Sequence, residues 1–311
     1  MVTKKHFHFS SCDGVHKIHG ILWKPEDEKI IGFLQIVHGM VEYIDRYDTF
    51  ARFMCAHGFA VAGEDHLGHG LSVNSNDELG IFAKKNGSEY VIGDNYRLKK
   101  HMEREFKGVP YFILGHSMGS FITRVFITRY SHELNGAIIM GTGSQPAIAA
   151  VGGKLLASVI ARFKGWDYRS KLIDNIAFGA YNKKFEPART SHDWLSKDEK
   201  IVDAYNDDQL CSFLFTVSAY KDLFTLVHEA GKDELIRKIR PTLPILVVSG
   251  AMDPVGSFGR GVKIVYDKYK DADIEDVTLK LYDNDRHEIL NETDKEMVFE
   301  DILNWLKSKM D

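Results

Sequence analysis

The chain has 311 residues, of which 44% are hydrophobic and 27% are charged, and its formal net charge is −4. This length and composition suit one large globular domain with an insertion rather than two equal domains. Because the charge is slightly negative and no long basic stripe occurs, we expect no nucleic-acid partner.

The cysteine content favours a reducing environment. Cys12, Cys55 and Cys211 are widely spaced and odd in number, so a disulfide framework is not expected and a cytoplasmic location fits better. The N-terminal residues include no apolar stretch of the kind found in secretory signals, so we expect no signal peptide.

The first two predicted strands form an antiparallel hairpin. His6 and His8 fall on one face of the first strand, and Asp13-Gly14 then turn the chain into a second strand at 16–23.

The chain then alternates strands with helices. Strands are predicted at 31–37, 59–63, 111–115, 136–141, 244–250 and within 276–285, and helices near 46–57, near 89–106 and from 118. Such alternation predicts an α/β fold with a mostly parallel, eight-stranded sheet covered by helices on both faces.

Between the strands at 136–141 and 244–250 lie roughly a hundred residues, far more than a usual crossover of about a dozen. We therefore predict a helical cap at 145–239, inserted in a core of 1–144 and 240–311. Its opening segment, 146–163, is apolar, but Lys154 lies inside it and Gly152-Gly153 are expected to break it, so a cap helix is favoured over a membrane span.

The predicted cap is rich in aromatic residues. Most of them are expected to form the small core of the cap itself. An apolar lid above a reactive site nevertheless predicts a pocket for an acyl chain, and exposed apolar surface on the first cap helix predicts transient contact with micelles or bilayers.

The sequence YFILGHSMGS, residues 111–120, predicts a strand, a sharp turn and a helix with Ser117 at the turn. Gly115 and Gly119 allow the tight, strained backbone that exposes the Oγ atom of a nucleophilic serine. The Met118 amide lies at the start of the helix, where partial positive charge can stabilise an oxyanion.

Two later strands supply an acid and a base. Along the chain they follow the serine in the order serine, acid, histidine, which is one of the known orders for a nucleophilic serine and its partners. Asp253 follows the buried strand 244–250, and His287 follows the strand within 276–285. We predict that His287 accepts the Ser117 proton through Nε2, while Asp253 holds its Nδ1–H.

Each of these residues also has an ordinary structural interpretation. An Asp before a Pro often only starts a turn, and a His in a polar loop is often a solvated residue. Asp283, Asp285 and Glu288 are rival acids, but they lie so near His287 along the loop that they cannot easily reach Nδ1 while Nε2 faces the serine.

The second oxyanion donor is expected in the loop after the strand 31–37, where the Met40 amide should point toward Ser117. His38 is interpreted as a buried, hydrogen-bonded loop residue rather than a base. Glu42 and Arg46 are four residues apart, and an ordinary ion pair on the next helix accounts for them.

A metal centre is an alternative interpretation of one loop. Asp65, His66 and His69 follow the strand 59–63, but two His residues and one carboxylate in a loop lack the helical spacing and companion ligands of a catalytic zinc site. We predict neither a metal nor a cofactor.

Five segments together resemble one known group of enzymes. HGMVEYIDRY, EDHLGHGLS, GHSMGS, SGAMDPVG and DRHEILNE occur in the order and spacing of the monoacylglycerol lipase and lysophospholipase branch of the α/β-hydrolase superfamily, among the serine aminopeptidase-type hydrolases. The resemblance covers nearly the whole chain. It implies a Ser117, Asp253 and His287 triad and an oxyanion hole formed by the Met40 and Met118 amides.

The sequence departs from this branch at the oxyanion loop, where Val41 and Tyr43 stand in place of the Gly and His that these lipases often carry. The expected function is a serine esterase acting on small acyl esters or lipids, with glycerol or a lysophospholipid headgroup as the leaving group by resemblance. The alternatives are an aminopeptidase, a binding protein with this fold and no catalysis, and cofactor-free peroxidase chemistry.

Overall fold

The computed structural model describes residues 1–26 and 29–310, and within them the chain forms eight strands and ten α-helices. The strands are β1 (Val2–Ser10), β2 (Lys17–Pro25), β3 (Gly32–Val37), β4 (Phe59–Glu64), β5 (Tyr111–His116), β6 (Gly136–Met140), β7 (Ile245–Gly250) and β8 (Val277–Tyr282). The helices are α1 (Asp48–Ala56), α2 (Gly87–Glu105), α3 (Met118–Tyr130), α4 (Ala147–Lys164), α5 (Lys171–Phe178), α6 (Glu199–Asp207), α7 (Val217–Ala230), α8 (Asp233–Ile236), α9 (Arg260–Asp271) and α10 (Lys295–Lys307).

All eight strands belong to one sheet, in the order β1-β2-β4-β3-β5-β6-β7-β8. β1 pairs antiparallel with β2, and β2 pairs antiparallel with β4, so the predicted hairpin is confirmed. The remaining neighbours are parallel, which places the carboxyl ends of β3 and β5–β8 at one edge of the sheet. Ligands of open parallel sheets bind at this edge.

Alternate side chains of the central strands pack into two separate hydrophobic cores, one on each face of the sheet. Phe33 and Ile113 face the core that α2, α3, α7 and α9 cover, whereas Leu34 and Phe112 face the core that α1 and α10 cover. Because side chains of a strand alternate between its faces, a strand buried on both sides must be apolar at nearly every position. The predicted α/β fold with helices on both faces is confirmed.

Helices α4 to α8 occupy the long connection between β6 and β7. The predicted helix at 146–163 is present, but the prediction that Gly152-Gly153 break it is wrong, because α4 is continuous through both. A Cβ on Gly153 would lie 2.8 Å from the Phe224 ring of α7, so this glycine serves close helix packing rather than a break. None of the helices in the described residues has the length and apolarity that a membrane crossing requires.

Candidate active site

Ser117 occupies the turn between β5 and α3 in a backbone conformation that serine rarely adopts, with φ 53° and ψ −120°. This tight turn is possible because glycines stand two residues before and two residues after Ser117. A Cβ on Gly119 would lie 1.9 Å from the Val37 carbonyl oxygen, and one on Gly115 would lie 2.3 Å from the Gly119 carbonyl oxygen. Backbone strain of this kind persists where the surrounding structure enforces it, and it is concentrated at functional sites.

Asp253 and His287 meet beyond the ends of β7 and β8. The His287 Nδ1 atom lies 3.0 Å from Asp253 Oδ2, and both side chains are buried. Asp253 also accepts hydrogen bonds from the Val255 amide at 2.9 Å and the Ser249 hydroxyl at 3.1 Å. These bonds fix the carboxylate, which in turn keeps the proton on Nδ1 and leaves His287 Nε2 free to accept one.

The rival acids are held elsewhere. Asp285 pairs with Lys197, and Glu288 pairs with Arg46, while the Asp283 side chain is exposed.

The serine and histidine loops approach each other through His116, whose ring centroid lies 4.7 Å from that of His287. Among residues 1–26 and 29–310, no hydrogen bond joins the Ser117 hydroxyl to the His287 ring. In hydrolases without substrate this bond is often long, and it tightens only when substrate is bound.

The oxyanion loop lies directly beside the serine, since a Cβ on Gly39 would be 3.0 Å from Ser117 Cβ. Within the described part of the chain, the Met40 and Met118 amides donate to no protein acceptor, so both are available to an oxyanion. Val41 has φ 55°, a left-handed conformation that is strained for a β-branched residue. Val41, which stands where the lipases noted above often carry Gly, therefore adopts a backbone conformation that favours glycine.

The histidines near this loop are structural in their contacts. His38 Nδ1 donates to the Gly39 carbonyl, and His38 Nε2 accepts from the His66 amide at 3.0 Å. The His38 and His66 rings stack with centroids 4.0 Å apart. The Asp65 carboxylate is occupied by the His19 ring and by backbone amides. No group of three or more metal-ligand side chains occurs in the part of the chain described.

A buried ionic network behind the site was missed from the sequence. The Glu42–Arg46 pair exists, with 3.1 Å between Oε2 and Nη1, but Arg46 also forms a two-pronged contact with Glu288. Glu42 further bonds the His116 ring. The spacing of Glu42 and Arg46 was a visible signal, whereas Glu288 lies 242 positions from Arg46 and gave none.

Aromatic side chains from the β6–β7 connection cover the histidine. The Trp194 ring lies 5.0 Å from the His287 ring, and the Tyr181 ring lies 4.9 Å from that of Trp194 in an edge-on arrangement. The His287 ring therefore lies beneath an apolar wall of the kind that lines pockets for apolar ligands.

The fold and this strand–serine–helix turn define an α/β-hydrolase. More particularly, the chain belongs to the serine aminopeptidase, S33, family, whose model matches residues 28–294. The resemblance noted in the sequence is thereby confirmed.

Full-length relatives and a solved structure extend this result. A monoacylglycerol lipase of Mycolicibacterium smegmatis is 27% identical, with 99% of each chain covered. The monoglyceride lipase of Homo sapiens is 24% identical over 97% of this chain and 90% of its own length. The crystal structure of a thermostable carboxyl esterase from Bacillus coagulans, in complex with glycerol, has a TM-score of 0.93 at 26% identity, with 99% of each chain covered.

Proposed function

We propose that this protein is a serine hydrolase of carboxylic acyl esters, with Ser117 as nucleophile, His287 as base and Asp253 as the acid that orients it. The observation that carries the proposal is the strained Ser117 between β5 and α3, at the sheet edge where the buried His287–Asp253 pair also lies. Strained backbone at a non-glycine residue costs about 1–3 kcal/mol, and such strain is concentrated at functional sites.

The reaction follows the acyl-enzyme route. Ser117 Oγ bonds to the ester carbonyl carbon as its proton passes to His287 Nε2, and the Met40 and Met118 amides stabilise the oxyanion. The tetrahedral intermediate collapses, the ester C–O bond breaks, and His287 protonates the leaving alcohol. Water, deprotonated by the same His287, then releases the carboxylic acid and restores Ser117. Because an imidazole must be neutral to accept the serine proton, activity is expected to be lost at acidic pH.

The substrate class follows from the relatives and the apolar wall. Two full-length relatives are monoacylglycerol lipases by name, and an esterase of closely similar structure was crystallised with glycerol. Trp194 and Tyr181 give the site an apolar lining suited to an acyl chain. We therefore assign a monoacylglycerol as the preferred substrate, with a lysophospholipid as the second choice. In this proposal residues 145–239 form a cap over a core of 1–144 and 240–311.

An aminopeptidase, the activity in the family description, is the main alternative. It needs an unpaired carboxylate for the substrate amine, and the acidic residues of the predicted cap are mostly occupied. Asp198 and Asp208 cap helical turns, Asp203 pairs with Arg189, and Asp208 also accepts the Tyr43 hydroxyl at 2.7 Å. These contacts favour an ester over a peptide substrate.

A hydrolysis panel tests the proposal. We expect turnover of long-chain monoacylglycerol, lysophosphatidylcholine or p-nitrophenyl esters, and little turnover of aminoacyl anilides. A fluorophosphonate should label the protein, and Ser117→Ala should lose both labelling and hydrolysis. Ser120→Ala is the matched control, because Ser120 lies nearby in the first turn of α3 and its hydroxyl bonds only the Ser117 carbonyl. Turnover of anilides alone would favour the aminopeptidase, and neither turnover nor labelling would favour a binding protein.

We also infer that the protein contacts lipid surfaces transiently through α4. Ile148, Leu155 and Phe163 of this helix are 82%, 66% and 78% exposed. Large apolar side chains grouped on one exposed surface are typical of interfacial contact. The three free thiols fit a reducing compartment, so we place this contact on the cytoplasmic side of a membrane.

Charged substitutions on α4 test whether this helix contacts lipid. Leu155→Glu with Phe163→Glu should lower binding to phosphatidylcholine vesicles and hydrolysis of micellar monoacylglycerol, while leaving hydrolysis of monomeric p-nitrophenyl acetate unchanged. Ile264→Glu on α9 is the control, because Ile264 is also exposed but lies on another helix. An equal loss with both substrates would contradict lipid contact.

A further inference from the structure

The His116 side chain, which precedes Ser117, has hydrogen-bond acceptors at both ring nitrogens. Nε2 lies 3.2 Å from the His287 carbonyl oxygen, and Nδ1 lies 3.0 Å from Glu42 Oε1. A carbonyl oxygen and a carboxylate can only accept. The Tyr47 hydroxyl also lies 3.1 Å from Nδ1, and it can donate its one proton to Glu42 at 3.0 Å instead. Protons on both His116 nitrogens therefore give each of these groups a hydrogen bond, and the geometry favours His116 as an imidazolium cation.

The charge states of the pair agree with this geometry. Burial favours the neutral form of each group, but the hydrogen bond and the opposite charge outweigh it. The pKa of His116 is raised above its ordinary value by Glu42, and the pKa of Glu42 is lowered by His116 and Arg46. The Tyr47 hydroxyl donates to the same Glu42 oxygen at 3.0 Å, which further favours the carboxylate.

Glu42 also connects the three loops that converge on the site. It accepts from the Gly39 amide in the oxyanion loop and from His116 beside the nucleophile. Through Arg46 it reaches Glu288, the residue after His287. Because one carboxylate contacts two of these loops directly and the third through Arg46, its loss would weaken the connection among all three.

We propose that the Glu42–His116 ion pair is a positioning device that fixes the oxyanion loop, the nucleophile turn and the histidine loop together, and that the His116 cation keeps His287 unprotonated. The inference rests on the proposed function, because it assigns His287 as the base. Neither Glu42 nor His116 touches substrate in this scheme, so both are positioning residues.

The electrostatic part follows from the balance of the network. Glu42 and Glu288 carry one negative charge each, and His116 and Arg46 carry one positive charge each, so the network is neutral. Neutralising His116 leaves a net charge of −1 close to His287, whose ring centroid is 4.7 Å from that of His116. A buried negative charge at this range favours protonated His287, which cannot act as a base.

The other groups that face the His116 and His287 rings do not change the direction of this electrostatic effect. Asp253 bonds His287 in both the wild-type protein and the variant, and His38 is uncharged because burial lowers its pKa. The other titratable or aromatic side chains facing the pair are Tyr47, Tyr181 and Trp194.

Two measurements on the full chain test the proposal. Nitrogen-15 spectra of histidine-labelled protein, with His116 assigned by its loss in His116→Gln, should show both His116 ring nitrogens protonated at pH 7. In ester hydrolysis, His116→Gln should move the acid limb of the kcat/KM profile upward by about one pH unit, which is about a tenfold loss at pH 6. Glu42→Gln removes one negative charge together with the group that keeps His116 protonated, so the network stays neutral; this variant should lower kcat without an upward shift of the acid limb.

His19→Gln is the matched control. His19 forms a buried pair with Asp65 at 2.7 Å and contacts none of Ser117, Asp253 and His287, so the pH profile should not move. A neutral His116 at pH 7, or an unchanged acid limb in a folded His116→Gln protein, would overturn the proposal while leaving ester hydrolysis intact. Failure of the wild-type chain to hydrolyse any ester would instead overturn the proposed function, and the nitrogen-15 spectra would still decide the charge of His116.

Discussion

Glu64, the last residue of β4, is fully buried, and neither of its carboxyl oxygens has a hydrogen-bond partner within residues 1–26 and 29–310. Burial, with the nearby Asp94 and Asp65 carboxylates, raises the pKa of Glu64 well above its ordinary value. The His66 ring lies 3.7 Å from Glu64 Oε1, but burial lowers the pKa of His66 and keeps that ring uncharged. The Glu64 carboxyl group therefore favours its neutral form, because the ionised form would be left without solvation.

Glu64→Gln should therefore stabilise the protein at alkaline pH. A raised pKa means that the folded state binds the proton more tightly than the unfolded state. Ionisation of Glu64 therefore costs no free energy of unfolding below about pH 4.5, and the free energy of unfolding falls as the pH rises toward the folded pKa. Glutamine has nearly the same shape and cannot ionise. We expect the free energy of unfolding to rise by about 1–3 kcal/mol at pH 8 and to change little at pH 4, as measured by urea denaturation.

The exposed Glu275→Gln variant is the control and should alter stability at neither pH. If Glu64→Gln destabilises the protein equally at pH 4 and pH 8, then Glu64 forms a bond that its neutral isostere cannot make, and the prediction is wrong.

Individual site residues differ in how far the sequence could place them. Ser117, Asp253 and His287 follow predicted strands, and parallel strands bring their carboxyl ends to one edge, so local patterns sufficed to propose them. The His116–Glu42 contact spans 74 positions and depends on how two loops pack, which periodicity does not encode. The ordinary ion pair expected for Glu42 was therefore real but incomplete.

At the scale of an element, α4 shows why glycine alone is a weak indicator of a helix break. The two adjacent glycines differ in surroundings, since a Cβ on Gly152 would meet nothing within 4 Å, whereas one on Gly153 would contact the Phe224 ring. Glycine in a helix costs about 0.5–1 kcal/mol relative to alanine, and packing against α7 outweighs that cost. The sequence could predict the helix but not the neighbouring helix that keeps it intact.

This difference predicts opposite effects for two neighbouring substitutions. Gly152→Ala should raise the free energy of unfolding by about 0.5–1 kcal/mol, because it gains helix propensity without a clash. Gly153→Ala should lower it by about 1–2 kcal/mol, because the Phe224 ring must move. Thermal and urea unfolding of the two variants make the comparison, and Gly153→Ala with Phe224→Leu should recover part of the loss. Equal stabilisation by both alanines would show that α4 and α7 are not closely packed.

At the scale of the whole molecule, the sheet was predictable and the position of the β6–β7 connection was not. Buried parallel strands are apolar runs of distinctive length, and strict alternation with helices leaves few arrangements. The connection is instead placed by individual polar contacts with the histidine loop. The Glu288 amide donates to the Leu195 carbonyl at 2.7 Å, and the Arg286 guanidinium donates to the carbonyls of Asp193 and Ser196.

Arg286 should therefore couple the motion of the β6–β7 connection to that of the loop that carries His287. Its guanidinium also lies 4.2 Å from the Phe185 ring centroid, so one side chain joins two parts of the connection to the residue before His287. Arg286→Ala removes two charge-assisted bonds worth about 1.5–3 kcal/mol each before relaxation. We expect amide hydrogen exchange to quicken at least tenfold in both 193–199 and 285–292, with kcat/KM reduced because Trp194 no longer holds its place over His287.

Arg189→Ala is the control. It loses an exposed pair with Asp203 on the same connection, and it should leave exchange in 285–292 unchanged. Faster exchange in 193–199 alone would show that the connection moves independently of His287.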